Sequence, residues 1–185
     1  MKHFRLLAEQ VFVQPLVEAL AAKPALWDVF TDRQNYPGSA HADTRSIILA
    51  GPQTLDVWAW FNALGVKMYP AIDELGLPLR SVLHLIRAIL WPQCIEQAGR
   101  IMLAELKAGG KIAAHVDEGA YAEHFQRLHL VLTGSCEFHC GNEAVTMVPG
   151  ELWWFDHQQK HRVENEGTSP RVNLIMDIRL DPRIT

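Results

Sequence analysis

The 185-residue sequence has few cysteines, no apolar run long enough to cross a membrane, and no excess of basic residues. Cys94, Cys136 and Cys140 are odd in number and lack the spacing of a disulfide framework, so reduced structural thiols are expected. Charged residues or prolines interrupt every apolar run before the roughly 18 residues that a membrane span needs. The 17 lysines and arginines are outnumbered by 21 acidic residues, which argues against nucleic-acid binding through a basic surface.

The composition is that of an ordinary folded domain, with 49% hydrophobic and 21% charged residues. We expect one domain over residues 1–185, with a helical and irregular N-terminal part over residues 1–99 and a β-sheet core over residues 100–185. Residues 1–14 contain no apolar segment followed by a small-residue cleavage site. No secretory signal is therefore predicted, and the expected location is the cytoplasm.

The N-terminal part contains three predicted elements. Apolar residues at helical spacing predict helices over Val13–Ala22 and Leu79–Leu90, the second of which is ended by Pro92. A β-like run covers Thr44–Leu49. The intervening residues 27–43 are a predicted loop, which is either a substrate-selecting lid over a barrel mouth or a solvated loop. The polar residues of this region are Arg33, Tyr36, His41, Asp43 and Arg45.

From Arg100 onward, short alternating segments are separated by glycine-containing turns, which is typical of a jelly roll or β-sandwich. Eight closing strands leave a barrel mouth where ligands collect, and we expect the N-terminal helices to pack on the outside of the barrel. The predicted strands are Arg100–Leu106, Ile112–Val116, Arg127–Thr133, Glu137–Gly141, Glu143–Val148, Leu152–Phe155, His161–Glu164 and Arg171–Arg179.

Two histidines and one aspartate in this β-rich half form a candidate metal site. His115 and Asp117 are two residues apart at a strand end, so both side chains point to the same side. His161 opens a later strand. Two imidazoles and one carboxylate, with the other coordination positions open, form the facial triad of non-haem Fe(II) oxygenases.

Arg171 lies ten residues beyond His161, at the head of the last predicted strand. A guanidinium there can bind the distal carboxylate of a 2-oxo acid in a bidentate pair while the other end of the acid chelates the metal.

With these residues in place, the sequence from about Arg100 to Leu180 resembles the aspartyl/asparaginyl β-hydroxylase family of 2-oxoglutarate-dependent dioxygenases. The resemblance is carried by five features in order, which are His115, Arg127-Leu128-His129-Leu130, Pro149-Gly150-Glu151 leading into Phe155-Asp156, His161, and Arg171-Val172-Asn173 before Asp177.

The resemblance implies a mainly β, double-stranded β-helix (a jelly-roll, cupin-like barrel). It also implies Fe(II), 2-oxoglutarate and O₂ as cofactor and cosubstrates, and hydroxylation of an unactivated carbon with release of succinate and CO₂. His115 and His161 would be iron ligands, Arg171 and His129 would hold 2-oxoglutarate, and Arg127 would face a carboxylate of the substrate or cosubstrate.

The sequence departs from the animal members of the family at two positions. They have glycine where this chain has Asp117, so the carboxylate here completes a full triad. A serine that helps to bind the cosubstrate in those members falls at Ala104, which leaves the carboxylate clamp more dependent on Arg171.

Other interpretations of these residues remain open at this point. Asp117 can instead cap the turn Asp117-Glu118-Gly119, His129 can be a packed core residue, and Arg127 can be a solvated strand residue. His124, His139 and His157 have no partner in the pattern and are expected at the surface, with His157 the one that could support the metal ligands.

Two alternative functions also remain open, a cupin-type metal enzyme that does not use 2-oxoglutarate and a non-catalytic barrel that binds a small acid. For the hydroxylase, the expected substrate is amino-acid-like, an Asp or Asn residue, a peptide or a free amino acid. A substrate carboxylate would suit Arg127 and Arg45, and no nucleic-acid or membrane partner is expected.

Overall fold

The computed structural model describes residues 1–90 and 95–180. The N-terminal elements are β1 (Phe4–Ala8), α1 (Gln14–Ala21), a 3₁₀ helix (Pro24–Asp28), α2 (Asp32–Asn35), β2 (Thr44–Gly51), α3 (Val57–Asn62), β3 (Lys67–Met68) and α4 (Ala71–Leu90). The later elements are β4 (Ile95–Leu106), β5 (Lys111–His115), α5 (Ala120–His124), β6 (Gln126–Thr133), β7 (Cys136–Cys140), β8 (Glu143–Met147), β9 (Leu152–Phe155), β10 (His161–Glu164) and β11 (Arg171–Leu180).

The strands form two antiparallel sheets. The large sheet has the order β1-β9-β6-β11-β4-β2-β3, and the small sheet has the order β5-β10-β7-β8. Side chains from both sheets, among them Phe4 and Phe155 of the large sheet and Phe138 and Val163 of the small one, form one buried cluster. The two sheets therefore face each other across a common interior, and the predicted double-stranded β-helix is confirmed.

The N-terminal helices cover the outer face of the large sheet. Leu79, Val82, Ile86 and Leu90 lie along one side of α4 and join a cluster that also contains Leu16 of α1 and residues of β6 and β11. Each buried side chain of this kind stabilises the fold by about 1.5–3 kcal/mol relative to an exposed one. The predicted packing of helices outside the barrel is therefore present.

The helix predicted over Leu79–Leu90 is the second segment of α4. Gly76 has φ 54° and ψ −134°, which interrupts the helix between Ala71 and Leu90. Glycine adopts this conformation without a steric cost, and Pro78 then occupies an early position of the following helical segment, where its missing N–H is tolerated. Pro92, which was expected to end the helix, lies outside the described residues, as does Cys94.

The N-terminal part also supplies strands that the sequence pattern did not predict. Strand β1 pairs with β9 and extends the large sheet, and β3 pairs with the end of β2. The predicted loop over residues 27–43 contains the short helix α2. Cys136 and Cys140 are free and buried.

None of the helices in the described ranges has the length and hydropathy needed to cross a membrane.

Candidate metal centre and adjoining pockets

His115 and His161 are brought together by the pairing of two strands. They are direct partners in the antiparallel register of β5 and β10, a position that places two side chains on the same face of a sheet. Their ring centroids are 4.2 Å apart. With Asp117, they offer three ligand atoms that all lie within 4.8 Å of one another. The three residues predicted from the sequence therefore form one cluster.

Both imidazoles are oriented by backbone carbonyls two residues earlier in the chain. Nδ1 of His115 lies 2.8 Å from the Ala113 carbonyl oxygen, and Nδ1 of His161 lies 2.9 Å from the Gln159 carbonyl oxygen. A ring that donates its Nδ1–H in this way leaves Nε2 as a free lone pair, which is the form that binds a metal. Burial lowers the pKa of His161 to about 4, so its ring is neutral at neutral pH.

Asp117 lies just beyond β5 and is tied to its surroundings at two points. Its backbone N–H donates to the His157 carbonyl oxygen at 3.1 Å, and its Oδ2 accepts a hydrogen bond from Arg127. Its other oxygen, Oδ1, lies 3.7 Å from Nε2 of His115. Burial alone would raise the pKa of Asp117, but the charge of Arg127 and the neighbouring imidazoles lower it below the usual value. The carboxylate is therefore ionised and directed toward the two histidines.

Arg127 lies between two carboxylates. Besides its bond to Asp117, it donates to Asp177 from Nε at 2.8 Å and from the guanidinium terminus at 3.0 Å. Asp177 is its direct cross-strand partner in the β6–β11 pairing. Burial would lower the pKa of Arg127, but Asp117 and Asp177 together raise it. In the described structure, the guanidinium predicted to face a ligand carboxylate is already paired with two protein carboxylates.

A second polar group lies deeper in the barrel, behind the metal cluster. Arg171 and His129 are buried at 3% and 6% exposure. Nδ1 of His129 lies 3.1 Å from the side-chain amide nitrogen of Asn173, and Arg171 makes one long contact of 3.7 Å to the sulfur of Met147. Nε2 of His129, Nε of Arg171 and Oδ1 of Asn173 have no hydrogen-bond partner within the described residues.

Unpartnered buried polar atoms cost free energy, and a cluster of them indicates a ligand. Burial lowers the pKa of Arg171 to about 10, so the group is still a cation at neutral pH. Burial and the charge of Arg171 keep the pKa of His129 well below its usual value, so that ring is neutral. One buried cation beside neutral hydrogen-bonding groups matches a ligand carboxylate. Ala104, where the animal members have serine, is the cross-strand partner of Asn173 and supplies no further donor.

A larger cavity of about 670 Å³ opens above the metal cluster, and we call it the outer pocket. Four groups of residues contribute to its wall: the metal-side residues His115 and Asp117, the segment that begins at Phe30, aromatic residues of α3 and α5, and side chains of the large sheet, which are Arg100, Met102, Arg127 and Ile175. The region predicted as a loop thus forms part of this wall, through Asp32, Arg33, Tyr36, Ser39, Ala40 and His41. Arg45 is not in the wall, because it pairs with Glu105 at 2.7 Å and lies over Trp27.

Three residues of the site were not singled out by the sequence pattern, or were placed elsewhere. His157 was expected at the surface, but it is buried, and its Nε2 lies 3.0 Å from the Ala122 carbonyl oxygen. Arg100 and Tyr121 line the outer pocket. Arg100 alternates with Met102 and Ala104 along β4, so the period of two residues already placed it on the inner face.

The fold and the site together define a class, a double-stranded β-helix with a candidate site for one divalent metal ion at its mouth. Residues 79–180 match the family model described as aspartyl/asparaginyl beta-hydroxylase. The match covers more than half of the chain, so the chain belongs to this family and is an oxygenase-type enzyme. The resemblance found in the sequence is confirmed.

One solved structure shows the same fold, and two others are similar to parts of the chain. A 2OG-Fe(II) oxygenase family oxidoreductase from Burkholderia pseudomallei has a TM-score of 0.53 at 9% identity, over 74% of this chain and 67% of that one. A predicted oxalate decarboxylase from Thermotoga maritima has a TM-score of 0.38 at 20% identity, over 51% and 74% of the two chains. The Cnp3 cupin domain of Schizosaccharomyces pombe has a TM-score of 0.39 at 13% identity, over 45% and 58%. No curated protein matches the chain.

Proposed function

We propose that this protein is an Fe(II)- and 2-oxoglutarate-dependent dioxygenase. It hydroxylates an unactivated carbon of an amino-acid-like substrate that bears a carboxylate, and it releases succinate and CO₂. The observation that carries the proposal is the buried guanidinium of Arg171, which pairs with no carboxylate of the described residues, in the same barrel as a cluster of two imidazoles and one aspartate.

The metal cluster suits Fe(II) by its donor set. Two imidazoles and one ionised carboxylate neutralise part of the charge of a divalent ion and leave its remaining positions open. Arg127 occupies one oxygen of Asp117, which leaves the oxygen that faces the histidines for the metal. Fe(II), when bound, supplies the activation of O₂, and 2-oxoglutarate supplies electrons through its oxidative decarboxylation.

The deeper polar group suits the cosubstrate. A guanidinium pairs with a carboxylate through two parallel hydrogen bonds, and the Nε of Arg171 has no partner among the described residues. His129 and Asn173 provide additional hydrogen-bonding atoms, and the ring of Phe155 lies against both His129 and the metal-cluster residue His161. These residues would hold the distal carboxylate of 2-oxoglutarate and orient the molecule toward the metal. The outer pocket would then receive the substrate on the other side of the metal.

The test is formation of succinate by purified protein supplied with Fe(II), ascorbate and 2-oxoglutarate. We expect succinate with the wild type and with His84→Ala, an exposed histidine of α4 that serves as the matched control. We expect loss of succinate formation with His161→Ala and with Arg171→Met. Succinate formation that persists after metal removal would contradict the proposal.

A binding measurement separates the proposal from its two alternatives. N-oxalylglycine, a non-reactive analogue of 2-oxoglutarate, should raise the unfolding temperature in the presence of Mn(II). A cupin-type enzyme that does not use 2-oxoglutarate should show no such shift. A non-catalytic acid-binding barrel should show the shift but no O₂ consumption at an oxygen electrode.

A further inference from the structure

The buried charge in the wall of the outer pocket is positive. The charged residues that line it are Asp32, Arg33, Arg100, Asp117, Glu118 and Arg127. Arg127 is paired with Asp117 and with the buried Asp177, so these three residues carry one negative charge in excess, and Asp32 and Glu118 are exposed at the rim. Arg100 and the partly buried Arg33 add two positive charges, which leaves the buried charge around the pocket positive.

Arg100 is a buried cation that forms no ion pair with any carboxylate of the described residues, although Asp177 and Asp117 lie near enough to favour its charge. It is 3% exposed, and its guanidinium makes one long hydrogen bond of 3.3 Å to the Ala59 carbonyl oxygen. Its Nε has no partner in the part of the chain that the structure describes. The rings of Trp60 and Tyr121 lie against it, with their centroids 4.6 Å and 3.4 Å from its central carbon.

Aromatic rings partly offset the loss of water around this cation, but they do not accept its N–H groups as a carboxylate would. Gly99, the residue before Arg100, makes room for this arrangement, because a Cβ atom there would meet the hydroxyl of Tyr121 and the ring of Phe125. The backbone N–H of Arg100 donates to that hydroxyl at 2.6 Å. The position of Arg100 at the pocket wall is therefore held by its neighbours, while its charge is not neutralised by them.

Arg33 is in a different state, because both ends of its guanidinium have neutral partners. One nitrogen donates to the hydroxyl of Ser46 at 3.4 Å, and another lies 3.0 Å from Nε2 of His41. Burial keeps the pKa of His41 well below its usual value, so the neutral ring can accept this bond. Of the two cations, Arg100 is therefore the one whose guanidinium has fewer hydrogen-bond acceptors among the described residues.

The surroundings of these cations are apolar. Met102 and Ile175 lie in the pocket wall and belong to a buried cluster against which Phe30 and Trp60 pack. The cavity of about 670 Å³ falls within the ordinary range of about 300–1,000 Å³ for small-molecule sites. A ligand that fits this pocket has an apolar body of modest size and an acid group.

We propose that the outer pocket binds a small organic acid with an apolar body, and that Arg100 is the residue that binds its acid group. The inference rests on the proposed function in one respect, since it takes this acid to be the substrate presented to the metal. It assigns the substrate carboxylate to Arg100 rather than to Arg127, whose donors are already used by Asp117 and Asp177.

The test compares acids with their amides, which have nearly the same shape but no charge. The probes are 3-phenylpropionate and hexanoate, each against its amide, measured by thermal shift. Mn(II) and N-oxalylglycine are present so that the deeper site near Arg171 is occupied. We expect each acid to stabilise the protein more than its amide does. We expect Arg100→Met to weaken acid binding about tenfold to a hundredfold, the range for hydrogen bonds to a charged group, and to leave amide binding little changed.

Three variants make the result specific. Arg100→Lys keeps the charge without the planar donors and should retain part of the preference for acids. Arg33→Met removes a cation from the same wall and should weaken acid binding less than Arg100→Met does. Equal losses of acid binding would mean that only the overall positive charge of the pocket matters, and would overturn the assignment to Arg100. Arg80→Met, on the exposed side of α4, should change nothing.

The outcomes for the two proposals are separable. Succinate formation without any preference for acids over amides would overturn the inference and leave the dioxygenase proposal standing. An acid preference that depends on Arg100, found in a protein that forms no succinate, would support the acid site and contradict the dioxygenase. An acid preference that survives Arg100→Met but is lost in Arg171→Met would place the acid in the deeper site and overturn the inference.

Discussion

Replacing Arg171 by methionine should make the ligand-free protein more stable and should abolish binding of the cosubstrate. Burial lowers the pKa of Arg171 from its usual value to about 10, which corresponds to about 3 kcal/mol of unfavourable free energy for holding the charge inside the barrel. Methionine replaces the aliphatic part of this side chain without a charge, although it is shorter than arginine and does not fill the space of the guanidinium next to Met147. Allowing for imperfect packing, we expect the free energy of unfolding to rise by about 1–3 kcal/mol.

Cosubstrate binding should change in the opposite direction. The guanidinium would form a charge-assisted pair with the distal carboxylate of 2-oxoglutarate in a buried site, and removing one partner of such a pair costs about 3–5 kcal/mol. N-oxalylglycine should therefore bind at least about 100-fold more weakly to Arg171→Met in the presence of Mn(II).

The assay has two parts, urea unfolding of the metal-free protein and a thermal-shift titration with N-oxalylglycine. Arg80→Met controls for the loss of one positive charge at an exposed site. A gain in stability together with a loss of N-oxalylglycine binding is the result expected if the charge of Arg171 serves ligand binding rather than folding. If Arg171→Met is strongly destabilised and still binds N-oxalylglycine like the wild type, Arg171 is structural and the reasoning fails.

Three further predictions concern the supports of the metal cluster. Arg127→Met leaves the buried carboxylate of Asp177, whose side chain is 3% exposed, without its partner, and should lower the free energy of unfolding in urea by about 3–5 kcal/mol. Adding Asp177→Asn should recover part of this loss. An unchanged urea midpoint in Arg127→Met would contradict the role given to this ion pair. Burial lowers the pKa of His161 to about 4, so between that value and about 6.5 the unfolded chain binds more protons than the folded one. His161 alone should then lower the unfolding free energy of the metal-free protein by about 2 kcal/mol from about pH 7 to about pH 5, in addition to the contributions of the buried His41, His129 and His157. His161→Asn should make the profile less steep by that amount, and an equally steep profile in the variant would contradict the prediction. Gly99→Ala forces a methyl group against the Tyr121 hydroxyl and should lower the free energy of unfolding by about 1–3 kcal/mol. It should also weaken acid binding in the outer pocket. A variant with the stability and acid binding of the wild type would contradict this contact.

The strands of the β-rich half could be predicted because their signals are local. Leu152–Phe155 and His161–Glu164 occur at the predicted bounds. Turn glycines at positive φ mark the limits of neighbouring strands, with Gly150 before Leu152–Phe155 and Gly141 between β7 and β8. Strand β1 was missed even though Phe4 is buried and Arg5 is exposed. Five alternating residues at a chain terminus are a weak signal, and the partner strand β9 lies about 150 residues away.

The metal cluster could be predicted only because a family pattern accompanied the residue types. Nothing local in the sequence says that His161 pairs with His115, since that register depends on the closure of the whole small sheet. The same limitation explains the different surroundings found for Arg127. Its partner Asp177 lies 50 residues away on β11, and only the β6–β11 register shows that the two side chains are neighbours. The inward position of Arg100 could have been predicted from the alternation along β4. That no carboxylate of the described residues pairs with it is visible only in the three-dimensional structure.

The central claim is that His115, Asp117 and His161 bind one metal ion beside a site for 2-oxoglutarate. Electron paramagnetic resonance of Mn(II) tests it directly, because the signal of the free ion is lost when the ion binds. The account predicts one Mn(II) per chain, tighter binding when 2-oxoglutarate is added, loss of binding in His161→Ala and unchanged binding in His84→Ala. Equal Mn(II) binding by the His161→Ala variant and the wild type would contradict it.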